Sequence, residues 1–310
     1  MRFVRGGLLA GSGLLAVASG LVAQAPPSTP RLGGYVQARE TWTSGVGLVG
    51  TINRARVIAD GAVGGGFSYK VSAELASGGS ATTQFAVSLR DAYVRWAGAG
   101  VAVSAGQFKT PFSREYLTPV TAVETADIAA VVDGLSPKRD IGVMADYDWH
   151  GRATAALGVF NGEGQNIGAN RDSSVLVVGR ATLRPLDPVT LGADVARYRD
   201  STRYGLEVGL EDAGFALKGE YIRQHRLAVG RDDAGWFVLG TWRPRRWLQV
   251  VARQEDFQRP AVAAFVRNTA TTIGANVWFA GERVRLLADY VSRKVGTRSG
   301  ALITQAQVVF

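Results

Sequence analysis

Hydrophobic and polar residues alternate along most of the chain. Near the C-terminus, Val284, Leu286 and Tyr290 share one face of an extended chain, whereas Arg285 and Asp289 lie on the other. Side chains of a β-strand point alternately to the two faces of a sheet, so this alternation predicts strands with one apolar and one charged face. The pattern recurs in about sixteen segments of about ten residues, separated by turns rich in Gly and Pro.

The length and number of these segments predict a barrel that spans a membrane. Outside the N-terminus, no apolar run approaches the roughly 18 residues that a transmembrane helix needs. Tilted strands of about 9–11 residues are long enough to cross a bilayer, and so large a sheet must close to remove its edges. We therefore predict an all-β fold, a transmembrane antiparallel β-barrel of about 16 strands, over residues 32–310.

The N-terminal residues have a different character. Two arginines precede a stretch of Gly, Leu, Ala and Val over residues 6–23, and residues 23–25 read Ala-Gln-Ala. A basic start, an apolar stretch and small residues at a cleavage site are typical of a secretory signal peptide. We predict a cleaved signal peptide over residues 1–25, followed by a short segment over residues 26–31.

One long connection interrupts the alternation. Residues 110–138 contain Pro111, Pro119 and Pro137, which would break a strand ladder. A connection of about 30 residues is too long for a simple hairpin, so it is expected to have a role of its own. We predict that this segment, the third loop, folds into the barrel and narrows it, with a short helix over residues 121–132. The alternative is an external loop.

Composition narrows the functional classes. The 310 residues include 35 Lys and Arg against 26 Asp and Glu, a formal net charge of +9, and no Cys. The lack of Cys excludes disulfides, thiol catalysis and cysteine metal sites. The only histidines, His150 and His225, have no catalytic or metal-binding pattern around them, so no catalytic residue, metal or cofactor is predicted. The arginines are spread at strand spacing rather than in a patch, which argues against nucleic acid as a partner.

The charged face of each strand should line the lumen, because charge is costly on a lipid-facing surface. Arginine stays charged, and its planar fork can donate two hydrogen bonds to a phosphate or carboxylate. The predicted acids of the lumen are similar in number, so selectivity would depend on how the charges are grouped. These acids are Glu74, Asp91, Asp146, Asp148, Asp194, Glu207, Glu220, Glu255 and Asp289. The predicted pore-lining and anion-binding cations are Arg39, Arg54, Arg56, Lys70, Arg95, Lys109, Arg114, Lys138, Arg139, Arg180, Lys218, Arg253, Arg283 and Arg285.

A subset of these cations is predicted to form the constriction. Strict alternation turns Lys109 away from the lumen, so the strand must end or bulge near Gly106 for Lys109 to face inward. The alternative for each lumen arginine is a pairing with a nearby acid that only holds the wall together. The constriction set comprises Lys109, Arg114, Lys138 and Arg139 beside the third loop, with Arg54, Arg56 and Arg95 opposite.

Four segments resemble, in the same order, motifs of the phosphate-selective porin O/P family. They are LRDAYV at 89–94, GQFKTPFSRE at 106–115, RDIGV at 139–143 and GVFNG at 158–162. The resemblance implies a homotrimer of sixteen-stranded barrels in the bacterial outer membrane, an inward third loop, and passage of anions such as phosphate. The final alternating strand, which ends at Phe310, resembles the signal read by the barrel assembly machinery.

The expected function is therefore that of a porin, with passive diffusion of small hydrophilic solutes and a bias towards anions. Its expected partners are small anions such as phosphate, outer-membrane lipid, lipopolysaccharide and the assembly machinery. Two alternatives stay open: a general or cation-tolerant porin, and a barrel with a plugged lumen and a structural or adhesive role. An outer-membrane enzyme is the rival from another class, and the two histidines do not favour it.

Overall fold

A computed structural model describes residues 29–77, 87–227, 230–260 and 265–310. The predicted signal peptide, residues 1–25, lies outside the described residues. Sixteen strands and two short helices make up the described chain. The strands are β1 (Arg31–Thr43), β2 (Gly47–Gly64), β3 (Phe67–Ser77), β4 (Ser88–Gly98), β5 (Val101–Lys109), β6 (Arg139–Trp149), β7 (Ala153–Phe160), β8 (Leu176–Leu186), β9 (Val189–Tyr198), β10 (Ser201–Asp212), β11 (Phe215–Arg226), β12 (Arg231–Arg245), β13 (Leu248–Pro260), β14 (Phe265–Phe279), β15 (Val284–Val295) and β16 (Thr297–Val309); the helices are α1 (Arg114–Leu117) and α2 (Ala130–Leu135).

The sheet closes on itself. Each strand pairs antiparallel with its neighbours in sequence, and β1 also pairs with β16. At the closing seam Tyr35 lies opposite Val309, and Gly34 and Phe310 exchange two backbone hydrogen bonds of 3.0 Å. A closed barrel leaves no exposed sheet edge. The predicted sixteen-stranded antiparallel barrel is confirmed.

The two ends of the barrel differ in their connections. At the end that holds the start of β1 and the end of β16, short turns such as residues 65–66 and 99–100 join the strands. The opposite end carries the longer connections, residues 110–138 and 161–175. We call these the turn end and the loop end. Bacterial outer-membrane barrels place such short turns in the periplasm and the longer loops outside the cell.

The two faces of the wall have the polarity that the sequence predicts. On β15, Arg285, Leu287 and Asp289 are buried on the inward face, whereas Leu286 and Tyr290 are about half exposed on the outward face. A wall that is apolar outside and polar inside suits lipid around the barrel and water within it. Within the described residues, no helix is long and apolar enough to cross a membrane.

The third loop is bonded to the inward face of the wall. Its helix α2 packs against β11, β12 and β13, across the barrel from the strands β5 and β6 that the loop connects. The predicted helix over residues 121–132 is wrong in position, because a 3₁₀ turn covers Val120–Ala122 and α2 begins only at Ala130. Between them the chain stays irregular, since side chains of the wall hydrogen-bond its backbone and replace the bonds of a helix.

Candidate channel lining

Three arginines on neighbouring strands surround a single carboxylate. Glu74 on β3 is fully buried, and its Oε2 lies 2.5 Å from Arg56 Nη2, 3.7 Å from Arg54 Nη1 and 3.7 Å from Arg90 Nε. Its Oε1 accepts the backbone N–H of Ala55 at 3.0 Å. One carboxylate neutralises only one of three guanidinium charges, so this part of the wall keeps an excess of positive charge.

Three further cations extend this group. Arg139 at the start of β6 donates from Nε to Asp91 Oδ1 at 2.8 Å, and Lys70 Nζ lies 3.8 Å from Asp91 Oδ2. Lys109 at the end of β5 approaches the same region. Five cations therefore share two carboxylates, Glu74 and Asp91, and Lys109 lies beside them without an ion pair of its own. We call this group the cationic cluster: Arg54, Arg56, Lys70, Arg90, Lys109 and Arg139.

Lys109 reaches the inside of the barrel through a change in backbone at Gly106. Gly106 has φ +128°, and a Cβ there would lie 2.2 Å from the carbonyl oxygen of Ala92, so only glycine fits. Beyond it, Lys109 Nζ donates to the carbonyl oxygens of Tyr116, at short range, and of Thr118, at 3.0 Å. No carboxylate within the described segments forms an ion pair with Lys109, so these two carbonyl groups and the ring of Tyr116, whose centroid is 5.0 Å from Nζ, stabilise its charge.

Arg90 belongs to the cluster although simple alternation gave no reason to include it. Asp91 faces inward, and a register shift between β3 and β4 beside Arg90 turns the arginine inward as well. Its Nη1 donates to Gln165 Oε1 at 3.0 Å, and Gln165 Nε2 donates to Leu89 O at 2.7 Å. Residues 161–175 thereby fix Arg90 in place. Two successive charged residues in a membrane strand are the signal for such a bulge, because one would otherwise face lipid.

On the opposite wall, carboxylates bind the backbone of the third loop. Asp289 on β15 accepts the N–H of Ala126 at 2.7 Å, and Glu255 on β13 accepts the N–H of Ala130 at 3.2 Å. Glu220 on β11 accepts the N–H of Glu115 at 2.6 Å. These acids satisfy amides that have no partner in secondary structure, so they hold the loop.

Basic and amide side chains of the same wall bind the carbonyl groups of the loop. Arg285 Nη1 donates to Val123 O at 2.7 Å, and Asn276 Nδ2 donates to Glu124 O at 2.7 Å. Arg253 Nη1 donates to Asp127 O at 2.7 Å and is only 5% exposed. The prediction that Arg253 lines the open channel is wrong, because the loop covers it. Arg285 also serves mainly to anchor the loop, although it reaches the edge of the cavity.

Most other predicted cations on the strands are paired. Arg95 forms two hydrogen bonds with Asp146, at 2.6 and 2.7 Å, and Arg180 lies between Asp194 and Glu207. Two more strand cations contact acids of the third loop: Arg39 binds Asp127, and Lys218 binds Glu124 as well as Glu211 on β10. Arg114 lies in the loop itself, on α1, and donates to Val208 O on β10.

Two predicted cations lie at the ends of the barrel. Lys138 is half exposed and pairs with Asp133 at 2.7 Å beside α2. Arg283 was expected on the wall, but it lies exposed in the turn before β15, so that prediction is wrong. The turn begins at Ala280, where φ becomes positive, and the strand starts only at Val284.

Glu115 is the buried carboxylate on α1 itself. Its Oε2 accepts the N–H of Ala129 at 2.9 Å, and Arg253 Nη1 lies 3.4 Å from its Oε1. Burial raises the pKa of Glu115 to about 7, against the opposing effect of the Arg253 guanidinium. This carboxyl therefore titrates near neutral pH within the contact between loop and wall.

A cavity of about 1030 Å³ lies at the loop end, above the third loop. Arg54, Arg56, Arg90, Lys109 and Arg139 line one side of it, and residues of the loop line another. Five of the six members of the cationic cluster therefore face the same cavity.

The histidines do not contribute to this cavity. His225 lies on the outward face of β11, where its Nδ1 is 2.5 Å from Asp232 Oδ1, and His150 lies in a turn at the turn end. The described part of the chain contains no group of three or more His, Asp or Glu residues placed to hold a metal ion.

A closed barrel with an apolar outer face, a polar inner face and a cation-lined cavity defines the class of outer-membrane β-barrel channels. The chain belongs to the family of phosphate-selective porins O and P, whose model matches residues 44–207, a little more than half of its length. That family and fold are channels rather than enzymes. No curated protein matches the sequence at a significant level.

Solved structures share the fold at low sequence identity. The outer-membrane channel DcaP of Acinetobacter baumannii superposes with a TM-score of 0.70 at 13% identity, covering 91% of this chain and 97% of that one. An anion-selective porin from Comamonas acidovorans gives 0.68 at 16% identity, covering 91% and 99%. A trimer form of OmpT of Vibrio cholerae gives 0.66 at 12% identity, covering 92% and 100%.

Proposed function

We propose that this protein is an outer-membrane porin through which small hydrophilic anions diffuse passively. The observation that carries the proposal is the cationic cluster, in which three guanidinium groups surround Glu74 alone. The acids of the opposite wall that bind the third loop are buried and do not line the cavity, so solutes there meet the cationic cluster instead. The porin of Comamonas acidovorans that shares this fold is anion-selective, in keeping with the proposal.

In this mechanism an anion enters the cavity at the loop end and passes between the cationic cluster and the third loop, which acts as the constriction. Guanidinium N–H groups replace part of the water around the anion and so lower the cost of its dehydration. Because several arginines of the cluster lie along the path of the anion, they form several weak binding sites rather than one tight site, which allows the anion to leave. Of the predicted pore-lining cations, we propose that Arg54, Arg56, Lys70, Lys109 and Arg139 act on the anion, together with Arg90, which the sequence analysis did not include.

Phosphate is the candidate solute that the family suggests. The fork of a guanidinium matches two oxygens of a phosphate, and Arg54, Arg56 and Arg90 lie together around Glu74 at the edge of the cavity. If the channel prefers phosphate, low concentrations of phosphate should block the chloride current. A chloride current that phosphate leaves unchanged would instead indicate a general preference for anions.

The proposed porin function also implies how the protein is exported, inserted and assembled. We infer export by the signal peptide over residues 1–25, insertion into the outer membrane through recognition of the strand that ends at Phe310, and a homotrimer. The trimer form of OmpT, which shares this fold, is consistent with the last inference. Size-exclusion chromatography with light scattering in detergent would test the trimer directly.

Lipopolysaccharide is the proposed partner of the outer surface at the loop end. Lys294 on β15 and Arg298 on β16 face outward as a directly opposed pair, and Arg197 faces outward on β9. None of the three has an ion pair with a carboxylate in the described segments. Like charges directly opposite each other destabilise a sheet, so a bound phosphate between Lys294 and Arg298 would relieve the repulsion.

The test of the central proposal is conductance in a planar bilayer under a potassium chloride gradient. The expected result is an open channel whose reversal potential favours chloride over potassium. A reversal potential that favours potassium would contradict the anion preference. A reconstituted barrel with no conductance would contradict the porin and support a plugged barrel.

A further inference from the structure

One part of the inner wall is apolar although it faces the open cavity. Near the loop end, Phe257 on β13, Asn268 on β14 and Val295 on β15 lie side by side in register, and Val266 is the next inward residue on β14. Val266 and Val295 are 43% and 45% exposed, whereas Phe257 is buried against Gly134 of α2, and all four residues line the cavity. Apolar surface in contact with water costs about 25 cal/mol per Å², and packing accounts for Phe257 but not for the two exposed valines.

Two arginines lie at opposite ends of this apolar surface. Arg259 is directly opposite Val266, and Arg293 is the next inward residue before Val295 on β15. Both are exposed and line the same cavity. All 26 Asp and Glu residues lie in described segments, and none forms an ion pair with either arginine there. Arg259 instead lies over the ring of Phe257, 5.6 Å from its centroid.

This combination differs from the cationic cluster in what it can bind. The cluster offers guanidinium groups shared with buried carboxylates, and its ligands are small hydrophilic anions. The second group offers two unpaired guanidinium groups with exposed hydrocarbon between them. A solute that satisfies both features carries one negative charge and an apolar body, because the charge pairs with an arginine while the body covers the valines.

We propose that Phe257, Val266, Val295, Arg259 and Arg293, the vestibule patch, form a binding site for monocarboxylates with a hydrocarbon chain. The inference rests on the proposed function, since the patch lies at the entrance of that channel. An arginine at each end allows the carboxylate to bind at either one. Binding there raises the local concentration of such acids above the constriction and so favours their passage over equally charged hydrophilic acids.

The experiment compares two monovalent anions of six carbons, hexanoate and gluconate, as the permeant anion in planar bilayers. Their charge is the same, but gluconate carries hydroxyl groups along its chain. Because gluconate is also bulkier, the decisive comparison is between wild type and a Val266→Thr/Val295→Thr variant. Threonine has nearly the shape of valine and keeps its preference for strands, so the variant removes apolarity and leaves charge and pore width unchanged.

The expected result is a permeability ratio of hexanoate to gluconate that is about threefold higher in wild type than in the variant, as the loss of two exposed methyl contacts predicts. A Val291→Thr variant is the matched control, because Val291 faces inward on the same strand but does not line the cavity. It should retain the wild-type ratio.

The two proposals fail in different ways. An equal hexanoate-to-gluconate ratio in wild type and in the Val266→Thr/Val295→Thr variant would overturn the vestibule patch, even if chloride is still preferred over potassium. A channel without preference for chloride would overturn the proposed function. An Arg259→Gln/Arg293→Gln variant separates the two parts of the patch, since it should lower hexanoate passage while the cationic cluster still selects chloride. Unchanged hexanoate passage in that variant would also count against the patch.

Discussion

The two walls of the barrel contain similar kinds of charged residue but use them differently. On the wall from β2 to β6, the six cations of the cluster have only Glu74 and Asp91 as ion-pair partners, and five of the six line the cavity. On the wall from β9 to β16, carboxylates and arginines are bonded to the backbone of the third loop. The total charge in the lumen is therefore a poor guide to ion selectivity. The hydrogen-bond and ion-pair partners of each charged side chain determine whether it can act on a solute.

The two walls differ because the third loop needs hydrogen-bond partners, and the wall opposite its attachment is the one that it lies against. The third loop has few hydrogen bonds of its own, so its amides and carbonyl groups need partners when it lies inside the barrel. The wall opposite its attachment supplies them and loses its free charges in doing so. In the cationic cluster, Lys109 binds carbonyl groups of the loop, whereas the four arginines line the cavity.

The largest expected effect comes from removing a buried contact between the wall and the third loop. In Arg253→Met, the carboxylates of Glu115 and Glu255 lose their buried cation, which should cost about 3–5 kcal/mol of loop docking. The released loop should widen the constriction, so single-channel conductance and current noise should both rise.

The matched control for this change is Lys294→Met, which removes one cation from the outward face of β15. Its conductance should equal that of wild type. If single-channel conductance and current noise of Arg253→Met equal those of wild type, Arg253 is not needed to dock the loop, and the contrast between the two walls would not hold.

The next effect tests the cationic wall. Arg54→Gln combined with Arg56→Gln removes two of the three guanidinium groups around Glu74. If each contributes on the order of 1 kcal/mol to an anion in the channel, the ratio of chloride to potassium permeability should fall at least about fivefold. Reversal potentials in a salt gradient measure this ratio directly.

An outward-facing pair supplies the control, Arg223→Gln with Arg267→Gln. It removes the same net charge from the protein but not from the lumen, so its ratio should match wild type. An unchanged ratio in the Arg54→Gln/Arg56→Gln variant would show that these arginines serve only to hold Glu74.

A smaller effect in the opposite direction is expected for Glu74→Gln. This change keeps an acceptor for the Ala55 N–H and removes the one negative charge among three arginines. The permeability ratio should rise about twofold, since roughly 0.4 kcal/mol of added stabilisation doubles occupancy. A ratio that falls would mean that Glu74 is needed to position the arginines, so thermal unfolding of the variant is measured alongside.

The sequence predicted the barrel well because lipid outside and water inside impose a period of two on every strand. Where a single residue interrupts that period, the outcome was mixed. For Lys109 the sequence analysis required a break near Gly106, and Gly106 adopts φ +128°. Arg90 was missed, because it turns inward at a register shift and alternation alone assigns it to the outer face.

The roles of the lumen charges were harder still to predict. Arg253 and Arg285 look like Arg54 and Arg56 in sequence, since all four lie on alternating strands. Their difference depends on contacts with a loop 126 to 162 positions away in the chain. No local pattern carries that information, which is why Arg253 was assigned to the open channel when the loop in fact covers it.

The smallest expected effect concerns pH. The pKa of Glu115, about 7, lies above the usual value of a glutamate, so the protonated form favours the docked loop. Docking should therefore be strongest near pH 4.5 and should weaken as pH rises towards 7. Current noise should increase over this range, with a change in mean conductance of less than about twofold because the other loop contacts remain.

Glu115→Gln, which stays neutral at all pH values, should remove the dependence of current noise on pH. Asp172→Asn, at an exposed acid of residues 161–175 whose pKa is lowered by the Ser174 N–H, should leave the profile unchanged. If noise in Glu115→Gln still rises with pH as in wild type, the titrating group lies elsewhere, and the contact of Glu115 between loop and wall is not where pH acts on this channel.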